Sequence, residues 1–400
     1  LLPLEEAPAV RPTRRLTASV VLPAMFAAGL AGCSAGSDSG DTQQIIIGAD
    51  LASASDTDTA YARALQLRVE QINASGQLGD KKLVLRIQDN RSDPTSSLRN
   101  ISTFADDPSV AAVITGDCDD CVIGAANTIN NKGIPTIALS GATQVSEPVS
   151  SRKWLFKLGP NAADSTAALT AELQRTRTKK VAILATEDKY GGDALQALQA
   201  ELAKAGVDVT ATQRVKPSSS DISTTVATLT EGKPDAMVVL TGPDQAVLAA
   251  TSARAAKFTG RFYFDASAAG DLFLPSAASS AMENSTMVFT QILAVDDVIS
   301  TSPAKAARKQ WFRDYTSRYG TYSGVASYAA DAADLIASGV TKAGGNRGAI
   351  RDILETSQTD GLSGTIRLTP DNHSGLMPQS LTLLVARSGR WRLAGNTGLS

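Results

Sequence analysis

The chain has 400 residues, 43% of them hydrophobic, with 38 Lys plus Arg against 40 Asp plus Glu. Single cores stop growing near about 250–300 residues, so two lobes are expected. The net charge of -2 gives no global field toward nucleic acid or an anionic membrane, and neither nucleic acid nor a cofactor is expected as a partner. The single histidine, His373, stands in a Pro- and Gly-punctuated segment that reads as a turn, without the spaced partners a metal or catalytic site needs.

Arg11, Arg14 and Arg15 precede an uncharged stretch from Leu16 to Leu30, too short for a comfortable membrane span and the right size for a signal-peptide core. It closes on Leu30-Ala31-Gly32-Cys33, which resembles the lipobox of bacterial lipoproteins. That resemblance implies removal of residues 1–32, lipidation of Cys33 and a tether to the membrane, since two acyl chains hold where one is marginal at about 0.8 kcal/mol per buried methylene. An ordinary secretory signal with a chance cysteine is the other reading. Residues 33–44, mostly Ser, Gly, Asp and Thr, read as a flexible tether.

Ile45-Ile46-Ile47 is an apolar run fit for a buried parallel strand, followed by a polar loop through Asp58. Tyr61, Leu65, Val69 and Ile72 then recur at helical spacing, with Thr57 or Asp58 as cap and Gly76 beyond the end. Leu83, Leu85 and Ile87 alternate as a strand. The order returns later: a strand at Lys180–Ala185, a helix capped by Asp193 and striped by Leu195, Leu198 and Leu202, a stop at Gly206, and a strand at Val207–Val215.

Asp107–Asp117 parallels Lys233–Pro243, and both are strands ending in Thr-Gly, at Thr115-Gly116 and Thr241-Gly242. Each is followed by a helical stretch and another strand, Ile134–Leu139 and Arg261–Phe264. Alternating strands and helices imply an α/β fold with a parallel sheet in each half. Ligands of such sheets bind beyond the carboxyl ends of the strands, which makes Thr241 and Gly242 candidates, although two ordinary turns would read the same way.

Several ordered pieces resemble the branched-chain amino-acid binding family, the type I periplasmic binding proteins that feed ABC importers. They are the helix ending Val-Glu-Gln-Ile-Asn-Ala-Ser-Gly at Gly76, the strand ending Gln88-Asp89, Ile134-Pro135-Thr136-Ile137 and Tyr190-Gly191. Tyr315, Tyr319-Gly320 and Tyr328–Ala332 are similar to the family's later helices, and Gly364-Thr365-Ile366 to the opening of its C-terminal hairpin. The resemblance covers most of Ile45 to Leu393. It implies Rossmann-like lobes joined by a three-segment hinge, with lobe one at 45–158 plus 290–363 and lobe two at 159–289 plus 364–396.

By the same resemblance, Ser140-Gly141-Ala142-Thr143 matches the loop that holds a ligand carboxylate, Tyr190 the tyrosine that closes over the ligand, and Asp265 the region of the ammonium-binding acid. Lys157 stands where the family often has arginine, and reads equally as a solvated lysine. The loop Gly116–Cys121 aligns with a ligand loop that usually carries a serine, but here Asp117, Asp119 and Asp120 stand with two cysteines. Carboxylates there would repel a ligand carboxylate by about 1 kcal/mol per close pair even in water, which favours a cationic or hydroxylated solute unless these acids face solvent.

In an oxidising compartment the C-x-x-C pair Cys118 and Cys121 favours a disulfide, with free thiols the alternative. No nucleophile with its base, tuned carboxylate pair or metal cluster is legible, so the expectation is not an enzyme. It is an extracytoplasmic, monomeric lipoprotein that captures a small polar ligand, such as an amino acid, for an ABC permease and ATPase. The alternative is a ligand sensor or envelope regulator of the same fold.

Overall fold

The computed structural model describes residues 43–395. The signal segment, Cys33 and the tether through Thr42 lie outside the described residues. The first strand, β1 (Gln43–Leu51), takes in the last two residues expected in the tether, because Gln43 and Gln44 pair with Lys81 and Lys82 of β2 (Lys81–Asp89). Between them lies α1 (Asp56–Ala74), capped by Ser55 rather than Thr57 or Asp58. The Asp58 carboxylate is engaged elsewhere: it accepts the amides of Ala52 at 2.6 Å and Asp117 at 2.8 Å, tying the loops after two strands together.

The chain continues through α2 (Pro94–Asp106), β3 (Val110–Thr115), α3 (Asp119–Lys132), β4 (Thr136–Ala138) and β5 (Leu155–Lys157). The first sheet is parallel throughout, in the order β2-β1-β3-β4-β5. β3 is buried along its whole length, as a strand covered on both faces must be, and it is apolar but for Thr115. β2, at the edge, leaves Ile87 exposed.

The second half runs α4 (Ala162–Arg175), β6 (Lys180–Thr186), α5 (Lys189–Ala205), β7 (Asp208–Val215), α6 (Ser223–Glu231), β8 (Ala236–Leu240), α7 (Pro243–Ala255), β9 (Arg261–Phe264), α8 (Ser276–Met282) and β10 (Thr286–Thr290). Asp188, not Asp193, caps α5 by accepting the Gly191 amide, and Gly206 ends it in the left-handed conformation. Asp193 sits inside the helix with its carboxylate turned to other use.

The chain then returns to the first sheet as α9 (Pro303–Tyr319), α10 (Ala326–Ala343) and α11 (Arg347–Glu355). Arg68 of α1 pairs with Asp334 of α10 at 2.8 Å, and Arg318 of α9 with Glu70. Ala326–Ala333 of α10 is buried on every side, which its run of small residues permits. Arg347 donates to the carbonyls of Phe104, Ala105, Asp107 and Val110, locking α11 onto the turn before β3.

A short pair, β11 (Gln358–Asp360) and β12 (Thr365–Arg367), follows, and Ile366 also bridges Leu376 just beyond, so Gly364-Thr365-Ile366 opens local pairings that lie outside the C-terminal hairpin. That hairpin is β13 (Leu381–Arg387) and β14 (Arg390–Leu393), turned at Ser388 and Gly389, both at positive φ, as a tight two-residue hairpin turn requires. It adds antiparallel strands to the second sheet, whose order is β14-β13-β10-β9-β8-β6-β7; this sheet is mixed rather than parallel throughout.

His373 lies just past the turn at Pro370-Asp371 and is buried. Its ring lies 4.4 Å from that of Phe156, and Nδ1 is 3.0 Å from the carbonyl oxygens of Arg152 and Leu155. It fastens the return crossover against β5. No helix among the described residues is long and apolar enough to cross a membrane.

Candidate ligand-binding cleft

The loops at the carboxyl ends of β1, β3, β4 and β5 meet those after β6, β7, β8 and β9 around a cavity of about 330 Å³. This is where α/β sheets place ligands, because helix N-termini and unpaired loop amides gather there. A wider depression of about 940 Å³ lies on residues 147–154 and 348–355, away from those strand ends and open to solvent.

Of the residues singled out from sequence, Asp119, Gly141, Tyr190 and Gly242 line the cavity. Asp265 stands behind Tyr190, whose hydroxyl donates to it at 2.7 Å, and Ser267 donates to the other carboxylate oxygen. Thr241 is buried next to Gly242, and Asp120 is exposed on α3; neither lines the cavity. Ser140 and Ala142 are buried outside the lining.

The loop expected to hold a ligand carboxylate has two of its amides engaged by the protein's own acids. Ala142 donates to Asp119 at 2.9 Å, and Thr143 donates at 2.8 Å to Asp193, which reaches it from α5. Lys157 is buried and gives its ammonium to the Gly141 carbonyl at 3.0 Å. Burial pulls this ammonium down to about 8, against the pull of Asp119 in the other direction. Gly141 meets the second half directly: a Cβ on it would fall 2.6 Å from Cδ2 of Tyr190.

The lining also contains residues that sequence reasoning did not choose, among them Asp56, Tyr61, Asp188, Asp244, Ser267 and Tyr328. Asp56, Asp188 and Asp244 each stand at the start of a helix that follows a strand, a position legible beforehand. Tyr61 and Tyr328 carried no such signal, since aromatic residues at helical spacing read as core.

Asp117 is the acid with least support. Among the described residues its carboxylate accepts no hydrogen bond, while its amide is held by Asp58. It meets open space in the cavity, but the surrounding protein removes enough water, with Asp58 and Asp119 nearby, to push it well above the usual carboxylate range. Burial likewise raises Asp58, Asp119 and Asp265 to about 6 each, the hydrogen bonds they accept opposing the rise. Cys118 and Cys121 are joined in a disulfide across the first turn of α3, fixing the loop that carries Asp117 and Asp119.

The model of the periplasmic binding protein family matches residues 47–389. The chain belongs to that family. The fold of this binding protein is that of an extracellular ligand-binding receptor from Rhodopseudomonas palustris HaA2, with a TM-score of 0.78 and 22% identity over 87% of this chain and 99% of that one. A leucine-binding protein from Thermotoga maritima MSB8 superposes with a TM-score of 0.73 and 17% identity, over 88% of this chain and 96% of that one. An ABC-transporter solute-binding protein from Rhodopseudomonas palustris BisB5, solved with 3,4-dihydroxybenzoic acid, gives 0.75 and 15%, over 87% of this chain and 95% of that one. No curated protein matches the binding protein. The solved relatives agree in fold across nearly their whole lengths at identities that leave the cleft side chains free to differ.

Proposed function

We propose that this binding protein captures a small solute between its two lobes, without chemical conversion, and delivers it to an ABC permease and its ATPase from a lipid anchor at Cys33. The observation that carries the reading is the cavity itself, walled by the strand ends of both sheets and therefore fully formed only when the lobes meet. A ligand touching both walls stabilises the closed form by its differential affinity for it. Asp117, Asp119 and Gly141 from one side, and Tyr190 and Gly242 from the other, are the proposed contacts, with Asp265 acting through Tyr190. The lobes divide at 158/159 just after β5, at 289/290 near the end of β10, and at 363/364 in the turn between β11 and β12.

Thermal unfolding of the chain against a panel of amino acids, amines, sugars and aromatic acids tests the capture. A true ligand at 100 times its Kd adds about 2.7 kcal/mol and raises Tm by a few degrees. Fractionation of cells carrying Cys33→Ala tests the anchor: the wild-type chain is expected with the membranes and the variant free of them. A variant that stays with the membranes would overturn the anchor, and a panel without any shift would overturn the capture.

A further inference from the structure

Resting on the capture reading, we propose that the cleft selects a small organic cation that bears no carboxylate. The lining holds Asp56, Asp117, Asp119, Asp188 and Asp244, and no lysine, arginine or histidine. Several of these acids have a structural reason to be there, since α1, α3, α5 and α7 all point their N-termini at the cavity. Each terminus offers roughly half a positive charge and the Lys157 ammonium behind Gly141 adds about one, so together they offset about three of the five carboxylates and the cavity stays negative.

Three of the donors that would seat a ligand carboxylate are already used within the protein. Asp119 holds the Ala142 amide, Asp193 holds the Thr143 amide from the opposite wall, and Lys157 is spent on the Gly141 carbonyl. An amino acid entering here would find the Ala142 and Thr143 amides and the Lys157 ammonium already engaged, and would bring a further negative charge among like charges. Each such close pair weakens binding about fivefold in water and more in a shielded cleft.

Separate observations mark a place for the cation. Asp117 reaches the cavity with a carboxylate that has no partner among the described residues, and Tyr328, a lining residue 2% exposed, has a buried hydroxyl without a partner. Tyr61 and Tyr190 complete the aromatic lining, and ring faces attract ammonium and guanidinium groups. At about 330 Å³ the space fits a compact molecule such as a diamine or a quaternary amine.

Calorimetric titration of the whole chain with matched pairs that share a cation and differ in a carboxylate tests this: putrescine against ornithine, agmatine against arginine, choline against glycine betaine. In at least one pair the member without the carboxylate is expected to bind about tenfold more tightly or better, and Asp117→Asn to weaken it by about tenfold or more while Tm without ligand stays within a few degrees. Equal or tighter binding of the carboxylated members, or binding of leucine or 3,4-dihydroxybenzoate alone, would overturn the cation and leave the capture reading standing. No binding by any of these compounds would overturn the cation, and the wider thermal-unfolding panel then decides the capture reading.

Discussion

At the scale of single residues, the cleft depends on what is missing from Gly141 as much as on what its neighbours carry. The second wall comes so near that a methyl group there would collide with the Tyr190 ring, whose hydroxyl is fixed on Asp265 and whose ring is hemmed in by burial. Gly141→Ala is therefore expected to hold the walls apart, lowering ligand affinity by about tenfold or more with little change in the Tm of the unliganded protein. Calorimetry beside thermal unfolding separates these effects; a variant that binds normally would show that closure does not need this contact. The loop Ser140–Thr143 reaches the cavity through Gly141, and no feature of the sequence announces that Asp119 and Asp193 bond its Ala142 and Thr143 amides.

Among elements, the device that joins distant parts of the chain is the return of α9–α11 to the first sheet. Arg347 is its clearest anchor, because one guanidinium closes carbonyl groups of α2 and the following turn that would otherwise lack those bonds. Charge-assisted bonds of this kind contribute about 1.5–3 kcal/mol, and leaving buried acceptors unmet adds to the loss. Arg347→Ala should lower the unfolding free energy by about 2–4 kcal/mol in a urea titration. A loss below about 0.5 kcal/mol would mean that water replaces the guanidinium there without cost. The strands and helices themselves were largely legible, because β3, β6 and β8 are apolar runs and α5 has its stripe and its stop. The errors fell at caps: Ser55 stands within a turn of Thr57 and Asp58, and Asp188 five positions before Asp193, while long-range bonds engage Asp58 and Asp193 elsewhere.

For the whole molecule, buried carboxylates set the response to pH. Asp58, Asp119, Asp265 and Asp331 each sit at about 6 in the folded chain against an ordinary value of 3.8, burial being the main cause. Between those values the folded chain keeps protons that the unfolded chain has released, so stability falls as pH rises through the window and levels off above it. The unliganded protein should accordingly melt several degrees higher at pH 5 than at pH 7.5. A Tm that stays flat or rises from pH 5 to pH 7.5 would show these acids to be ionised in the folded chain already at pH 5. A bound cation reverses part of the effect, since it favours the charged form of Asp117 and Asp119, and protons should be released on binding near pH 6.

The sequence by itself determined the α/β alternation, the duplicated strand-to-helix unit, the family and the side of the sheets on which a ligand would sit. These follow from local patterns: apolar runs, helical stripes and turn residues act over a few positions and are written in consecutive letters. It also determined that Cys118 and Cys121 are close enough to join, three positions apart on one turn. Only the tertiary structure decided which carboxylates face the cavity and which are consumed by loop amides, because those partners lie 23 and 50 positions apart. It decided as well that His373 is a buried fastener and that the second sheet ends in an antiparallel hairpin. Such outcomes depend on how two packed halves meet, and a hydrogen bond across that meeting leaves no period in the chain to read.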